Sequence, residues 1–287
     1  MTNESSPHIP LDEEVRLLLK ELSECRESTC PVVAKHPRYP VPETSSPLDL
    51  LDGPVGCLPV VPTWLPRGRV MILGMYPTCR FATIGSEKEV PIRDIDEPFE
   101  NSRYFDGYGI RNVRSGYVLY ENYLEPLGLD PEKDLWITNM VKCFLFKPEH
   151  LEAYENIGWS IPDGFEATRT EKYFDAAKLC VREWLGKELR LCQPQLVIAL
   201  GEFVCRMIFA DEEFIPASKY TWRKVRGQHL PDTGKNPVNR QRHPLFQNWN
   251  IFCLHHPAAV RKYASVRKLH EEYISVVKEF VDTLQLD

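Results

Sequence analysis

Residues 70–78 read VMILGMYPT, an apolar run that ends in a glycine and turns at a proline. Three later runs have the same character, namely residues 135–139 (LWITN), 196–201 (LVIALG) and 251–255 (IFCLH). Runs of this length, apolar on both faces and bounded by turn residues, are typical of buried parallel strands. We therefore predict a parallel sheet of four strands.

Stretches of helical character separate the four runs and cover residues 117–127, 167–191, 202–210 and 258–286. Because strand alternates with helix, the crossovers should be right-handed and helices should cover both faces of the sheet. The predicted fold is a three-layer α/β/α sandwich. In such a fold the active crevice lies beyond the carboxyl ends of the strands, where loops converge and helix N-termini point inward.

The first part of the chain has a different character. Residues 11–24 carry leucines at helical spacing, with acidic residues in the first turn, and should form an amphipathic helix. Residues 31–66 contain nine prolines and should form an extended wrapping segment. We predict that this helix and segment occupy residues 1–66, that an α/β domain occupies residues 67–287, and that both form one compact unit.

Composition limits the classes of protein to consider. Of 287 residues, 43% are hydrophobic and 26% are charged, which is typical of a chain with one large core. Because the start lacks a signal-peptide pattern and no window holds the ~20 apolar residues of a membrane span, we expect a soluble, cytoplasmic protein that binds no membrane. Nine cysteines in a reducing compartment argue against a disulfide framework, so metal binding or burial must explain them.

Charge is distributed unevenly along the chain. The net charge of −6 gives no overall attraction for nucleic acid, so binding of DNA would need a local patch. Residues 219–243 contain seven lysine and arginine residues against one acid. This segment is either a nucleic-acid contact or a solvated loop.

The residues that end the predicted strands resemble the motifs of the uracil-DNA glycosylase superfamily, most closely those of its iron–sulfur branch, family 4. The first motif of the superfamily is a strand ending in Gly-x-x-Pro, as at residues 74–77, and the second is a His-Pro-Ala that opens the last helix, as at residues 256–258. Between them, residues 137–143 (ITNMVKC) are similar to that branch's Ile-Thr-Asn-x-Val-Lys-Cys. The alternative is an unrelated α/β fold with accidental motifs.

The resemblance implies a DNA glycosylase, which hydrolyses the N-glycosidic bond of a flipped-out base and leaves an abasic site. By this resemblance His256 would donate to the base oxygen as the bond breaks, Asn139 would read the base edge, and Phe105 would stack on the base. Each has an ordinary structural alternative, respectively a helix-capping histidine, a strand-end turn residue and a core phenylalanine. The base site would be completed by Gly74, Met75, Pro77 and Thr78.

Tyr76 departs from the superfamily's pattern, although it occupies a position of the first motif that implies a catalytic role. Active relatives usually place Asp or Asn there, or a Glu beside it, to position water or stabilise the sugar cation, whereas a tyrosine of reference pKa about 10 stays a neutral phenol. Either another carboxylate supplies the charge, or uracil is not the substrate, or catalysis is lost. The candidate carboxylates on the following loop are Asp94, Asp96, Glu97 and Asp106.

Thr78 bears on the choice of substrate. The classical uracil enzymes of the superfamily carry a bulky tyrosine at this position, which excludes a C5 substituent, whereas the iron–sulfur branch carries a glycine. The resemblance therefore implies removal of uracil in DNA base-excision repair, or removal of a C5-substituted pyrimidine such as those of some phage genomes, in phage defence. A catalytically impaired DNA-binding or sensing member of the superfamily is the alternative.

The resemblance also implies a [4Fe–4S] cluster, for which four thiolates are the usual ligand set. The candidate ligands are Cys25, Cys30, Cys143 and Cys180, with zinc as the alternative metal and burial as small hydrophobes as the alternative role. Two features depart from the branch. The first pair is spaced Cys-x4-Cys instead of Cys-x2-Cys, and an insertion of about residues 148–166 precedes the last cysteine.

DNA is the expected partner, and the protein is expected to act as a monomer. Side chains that neutralise phosphates would make the affinity for DNA strongly dependent on salt. The candidates for this role are Lys142, Arg223, Lys224, Arg226 and Arg261.

Overall fold

A central sheet organises the protein, for which a computed structural model describes residues 11–25, 29–32, 59–63, 70–84, 88–158, 166–232 and 241–284. The described strands are β1 (Val70–Gly74), β2 (Cys79–Ile84), β3 (Lys88–Asp94), β4 (Arg103–Phe105), β5 (Ile110–Asn112), β6 (Leu135–Asn139), β7 (Leu196–Leu200), β8 (His229–Leu230) and β9 (Ile251–Leu254). Five of them form the central sheet in the order β6-β1-β7-β9-β8.

The four predicted strands are confirmed as the parallel part of this sheet. β1 pairs with β6 in a register that sets Gly74 opposite Asn139, and it pairs with β7 on its other side. β9 continues the parallel part next to β7. The predicted strand count is wrong by one, because the short antiparallel β8 pairs with β9 and makes the sheet mixed.

Helices are described on both sides of the sheet. They are α1 (Leu11–Ser23), α2 (Arg114–Leu119), α3 (Glu125–Leu127), α4 (Pro148–Asn156), α5 (Tyr173–Cys180), α6 (Gly186–Cys192), α7 (Glu202–Ile208), α8 (Lys219–Val225), α9 (Pro257–Lys262) and α10 (Ala264–Val281). π-helical turns join α2 to α3 and α5 to α6, at Tyr120–Leu124 and Val181–Leu185, and short 3-10 turns lie at Thr170–Lys172 and Pro244–Phe246.

Alternation along the strands divides the core into two layers. Met71 and Leu73 belong to one buried cluster, whereas Val70 and Ile72 belong to the other, because successive strand residues point to opposite faces. Buried side chains of α5, α6, α7 and α8 complete the first cluster, and those of α2, α3 and α10 complete the second. The predicted three-layer α/β/α arrangement is therefore confirmed.

Two antiparallel hairpins, which the sequence patterns did not predict, lie between β1 and α2. The first pairs β2 with β3, and the second pairs β4 with β5. The predicted last helix is interrupted at Tyr263, whose backbone is extended, so it forms two helices, α9 and α10. This break separates the turn after β9 from the long helix that covers the sheet.

The N-terminal helix predicted at residues 11–24 agrees with α1, whose Val15 and Leu18 are buried in the first core cluster. Most of the proline-rich segment, residues 33–58 and 64–69, lies outside the described residues. The boundary predicted at residue 66 therefore stays a prediction. Among the described helices, none has both the length and the apolar character needed to span a bilayer.

Candidate active site

A pocket of about 390 Å³ lies beyond the carboxyl ends of β1, β6 and β9. The strand ends and α9 line it with Met75, Tyr76, Pro77, Thr78, Asn139, His256, Ala258 and Arg261. The hairpins and the start of α2 line it with Cys79, Phe81, Glu89, Phe99, Tyr104, Val113, Arg114 and Ser115. The predicted crevice is thus present, and it brings together residues from motifs that are far apart in the sequence.

Asn139 is the most unusual polar group of this pocket. The residue is 2% exposed, and neither its side-chain oxygen nor its side-chain nitrogen has a hydrogen-bond partner. Leaving a buried amide unsatisfied costs about 1–3 kcal/mol, so such a group in a pocket indicates a ligand that completes its hydrogen bonds. A side-chain amide offers both a donor and an acceptor, which suits the edge of a nucleobase.

Gly74 leaves the space that Asn139 occupies. A Cβ at this position would lie 2.2 Å from Asn139 Oδ1 and 2.5 Å from the ring of Phe99, so any larger residue would displace one of them. Phe99 itself has φ of 54°, a left-handed conformation that non-glycine residues rarely adopt. Backbone strain of this kind is concentrated at functional sites. The close fit of these three residues forms the floor of the pocket.

Phe99, and not the predicted Phe105, lines the pocket. Phe105 is 43% exposed on the second hairpin and lies outside the pocket lining. The Phe99 ring lines the pocket instead, with its centroid 6.0 Å from that of the His256 ring. This correction could not come from local pattern, because the long loop between the two hairpins carries Phe99 back to the strand ends.

His256 is held in one tautomer by the turn that begins α9. Its Nδ1 accepts a hydrogen bond from the backbone N–H of Ala258 at 3.2 Å, so a neutral ring carries its proton on Nε2. Desolvation by the surrounding protein lowers the pKa of His256 to about 4. At neutral pH the side chain is therefore a neutral N–H donor next to the pocket.

The geometry of these strand ends agrees with the comparison with known families. The sequence model of the Uracil DNA glycosylase superfamily matches residues 65–280. The chain belongs to the uracil-DNA glycosylase superfamily. Members of this superfamily are generally DNA glycosylases, so membership supports a DNA glycosylase-like function and binding of DNA.

Tyr76, at the position where the resemblance implied an acid or an amide, lines the pocket. Its ring contacts that of Tyr173 edge-on, with centroids 5.8 Å apart. Burial, reinforced by the nearby Tyr173 and Glu149, raises the pKa of Tyr76 far above its ordinary value. The side chain is thus a neutral phenol that can hold water by a hydrogen bond but cannot act as a base near neutral pH.

The four carboxylates predicted to compensate for Tyr76 lie outside the pocket lining. Asp106 is buried in the second hairpin, and Asp96 forms an ion pair with Arg80 at 3.0 Å. Among the described residues that line the pocket, the carboxylate is Glu89 on β3, paired with Arg114 at 2.5 Å. Sequence reasoning missed both residues because it did not predict the hairpin that carries Glu89.

Lys142 is not available to bind DNA, which corrects the prediction. The side chain is 1% exposed, and its Nζ lies 2.5 Å from Glu188 Oε1 and donates to Thr138 Oγ1 at 2.6 Å. The indole N–H of Trp136 donates to the other oxygen of Glu188 at 3.1 Å. This buried network fixes the segment that follows Asn139.

The remaining predicted phosphate ligands are placed differently from one another. Arg261 lines the pocket, Arg223 and Lys224 are exposed on α8, and Arg226 is half-buried. In the same basic segment Arg242 is 2% exposed and donates to the backbone oxygens of three residues, so it anchors a loop. Residues 233–240, which carry Lys235 and Arg240, lie outside the described residues.

Three of the four predicted cluster ligands, Cys30, Cys143 and Cys180, are buried in the first core layer. The fourth, Cys25, follows α1 and is half-buried. The Cys180 thiol interacts electrostatically with Cys30 and Cys25 and accepts a hydrogen bond from the Lys142 backbone, while burial raises its pKa to about 12. Among the described residues, no group of three or more His, Cys, Asp or Glu side chains is arranged to hold a metal ion.

Proposed function

We propose that this protein is a DNA glycosylase that hydrolyses the N-glycosidic bond of a flipped-out pyrimidine and leaves an abasic site. The observation that carries the proposal is the buried, unpartnered amide of Asn139 in a pocket shared with the neutral N–H of His256. An extruded base would complete the hydrogen bonds of Asn139 and stack on Phe99.

Bond cleavage sends the electron pair of the C1′–N bond onto the departing base, while positive charge develops on the sugar. In this proposal His256 donates its Nε2 proton in a hydrogen bond to the base oxygen, where negative charge accumulates. Donors fixed in place before the reaction cost no reorganisation, which is why such groups stabilise transition states effectively. The oxygen of a water molecule then bonds to C1′ and loses a proton.

The sugar cation needs a negative charge nearby, which the first motif does not supply. We assign the charge to Glu89, whose ion pair with Arg114 holds the carboxylate at the pocket. Tyr76 would orient the water through its hydroxyl group. This division separates the roles that one motif carboxylate has in active relatives.

Thr78 supports a substrate range that extends beyond uracil. Its small side chain lines the pocket, so no bulky tyrosine at position 78 would exclude a pyrimidine with a C5 substituent. We propose uracil or a C5-modified pyrimidine as the substrate, with a role in DNA repair or in defence against phages whose DNA carries such bases.

A panel of labelled oligonucleotides tests the proposed activity. Each would carry uracil or one C5-substituted pyrimidine in single-stranded or duplex DNA, and abasic sites would be detected by alkaline cleavage. Wild-type protein should release at least one base, His256→Ala and Asn139→Ala should lose that activity, and the surface variant Lys268→Ala should keep it. Absence of product on every substrate, with DNA binding intact, would reject the proposed enzymatic activity. It would favour a DNA-sensing protein that lost catalysis when Tyr76 replaced an acid.

We propose that Cys25, Cys30, Cys143 and Cys180 hold a [4Fe–4S] cluster. The proximity of the Cys180 thiol to Cys25 and Cys30 supports this ligand set, and a bound metal would offset the cost of a buried thiolate. Such a cluster would tie the segment after α1 to β6 and α5 and would take no part in hydrolysis.

Optical and metal analysis of the purified protein tests the cluster. Absorbance near ~400 nm that is lost in Cys180→Ala but kept in Cys192→Ala would support it. A colourless protein with stoichiometric zinc would show that zinc occupies the same thiols, and a metal-free folded protein would show that the cysteines serve only as core residues.

A further inference from the structure

The second hairpin, β4 and β5 with the turn that joins them, exposes an unusual amount of apolar surface. Phe105 is 43% exposed, Tyr108 is 75% exposed and Ile110 is 65% exposed. Phe105 and Ile110 are directly paired across the two strands, so they share one face, and Tyr108 lies in the turn. A cluster of large apolar side chains on a protein surface indicates a site of interaction.

The turn of this hairpin is rigidly built. The buried carboxylate of Asp106 accepts hydrogen bonds from the backbone N–H groups of Tyr108 and Gly109 at 2.9 and 2.7 Å. It also accepts from Thr83 Oγ1 at 2.6 Å and from Arg111 Nε at 2.8 Å. These bonds fix the exposed side chains before any partner arrives, which lowers the entropic cost of binding.

The opposite face of the same hairpin is part of the pocket wall. Tyr104 lines the pocket, and its hydroxyl oxygen accepts a hydrogen bond from the Phe81 backbone N–H at 3.4 Å. Because neighbouring strand residues point to opposite faces, Phe105 must lie on the side of the hairpin that faces away from the Tyr104 contact. The apolar surface is therefore next to the pocket but outside it.

The charges around this surface identify the partner. Arg103 is exposed on β4, the Arg111 side chain is 50% exposed on β5, and the Arg114 side chain is 56% exposed beside the pocket. Arg111 and Arg114 hold Asp106 and Glu89, whereas Arg103 lies on the same face of β4 as Phe105, because the two are separated by one residue. An exposed arginine beside exposed aromatic rings suits a nucleic acid, whose phosphates match the charge while its bases stack on the rings.

We propose that the exposed face and turn of this hairpin stack against the DNA bases that border the flipped-out nucleotide. This inference rests on the proposed function for its ligand. Tyr108 and Phe105 would fill the gap or cover the bases that extrusion leaves unstacked, and Arg103 would bind the adjacent phosphate. Apolar and aromatic side chains that insert at unstacked base steps are a known way to hold distorted DNA.

A fluorescent base tests the proposal independently of catalysis. A duplex carries a stable abasic-site analogue with 2-aminopurine next to it, since stacking on an aromatic ring quenches the fluorescence of 2-aminopurine. Wild-type protein should quench the signal, Tyr108→Ala and Phe105→Ala should abolish quenching and weaken binding by about tenfold or more, and Tyr108→Trp should restore both. Ile215→Ala, which removes another exposed apolar side chain, is the matched control and should behave as wild type.

The two proposals fail in distinguishable ways. Quenching that Tyr108→Ala removes, without excision of any base, would support the hairpin proposal and reject the enzyme. Excision with wild-type affinity and quenching in both alanine variants would overturn the hairpin proposal alone. The hairpin proposal is also overturned if these variants change only self-association of the protein, measured by sedimentation.

Discussion

Replacement of Gly74 by alanine should damage the base site far more than the fold. The backbone of Gly74 lies outside the left-handed region, so alanine meets no conformational barrier there. The obstacle is contact, because the new Cβ would lie 2.2 Å from Asn139 Oδ1, whereas ordinary contacts begin at 3.4 Å. The amide and the Phe99 ring, 2.5 Å from the new Cβ, must therefore both move by about 1 Å, a displacement that can cost about 100-fold in rate.

The assay for Gly74→Ala is single-turnover excision on whichever base the substrate panel identifies, together with thermal unfolding. We expect a loss of about 100-fold in rate, and an overpacking cost of about 1–3 kcal/mol in unfolding free energy that leaves the protein folded at room temperature. Gly186→Ala is the matched control, since a Cβ at that helical site would lie at an ordinary 3.4 Å from Leu245. If Gly74→Ala excised the base at the wild-type rate, the reaction would not require Asn139 to lie where the structure places it, and the reasoning would be refuted.

Three further outcomes are expected. Lys142→Met should destabilise the protein by about 3–5 kcal/mol in urea unfolding, because it leaves the buried Glu188 carboxylate without its partner, and adding Glu188→Leu should recover much of the loss; an unchanged stability with a reduced salt dependence of DNA binding would restore Lys142 as a phosphate ligand. The pKa of His256 is depressed to about 4, so its contribution to stability is complete above about pH 6.5 and is lost as the pH falls towards 4; melting temperatures should show a smaller fall over that range in His256→Asn. Glu89→Gln should lower the rate of excision at least tenfold with unchanged affinity for DNA, and an unaltered rate would remove Glu89 from the mechanism.

The strands of the central sheet were predictable because a buried parallel strand leaves a continuous apolar run in the sequence. Each of the four runs became a strand, and their carboxyl ends met at one edge as topology requires. β8 has two residues, too few to leave a pattern. The hairpins of residues 79–112 were missed because β2 and β3 mix apolar with charged and polar residues and β4 and β5 have three residues each, so no apolar run marks them.

The candidate site was predictable only where a residue ends a buried strand or closely follows one. Asn139 is the last residue of β6, and His256 comes two residues after β9. The surroundings of Lys142 depend instead on Glu188, which comes from α6, so no local pattern distinguishes a buried lysine from one that binds phosphate. The prediction of Phe105 in place of Phe99 failed for the same reason. Both are aromatic residues in one irregular stretch, and tertiary packing decides which of them lines the pocket.

The position of the Glu89 carboxylate, which we propose stabilises the sugar cation, depends on the same stretch of chain that forms the walls of the pocket. An acid in the first motif would stand at the end of β1, where its position would be as fixed as the sheet. Here the strand end supplies Tyr76, and Glu89 comes from the β2–β3 hairpin, which forms a sheet of its own. Because the same stretch also carries Phe99, Tyr104 and the exposed aromatic turn, changes within residues 79–115 would alter substrate choice, catalysis and DNA contact together while leaving the sheet intact.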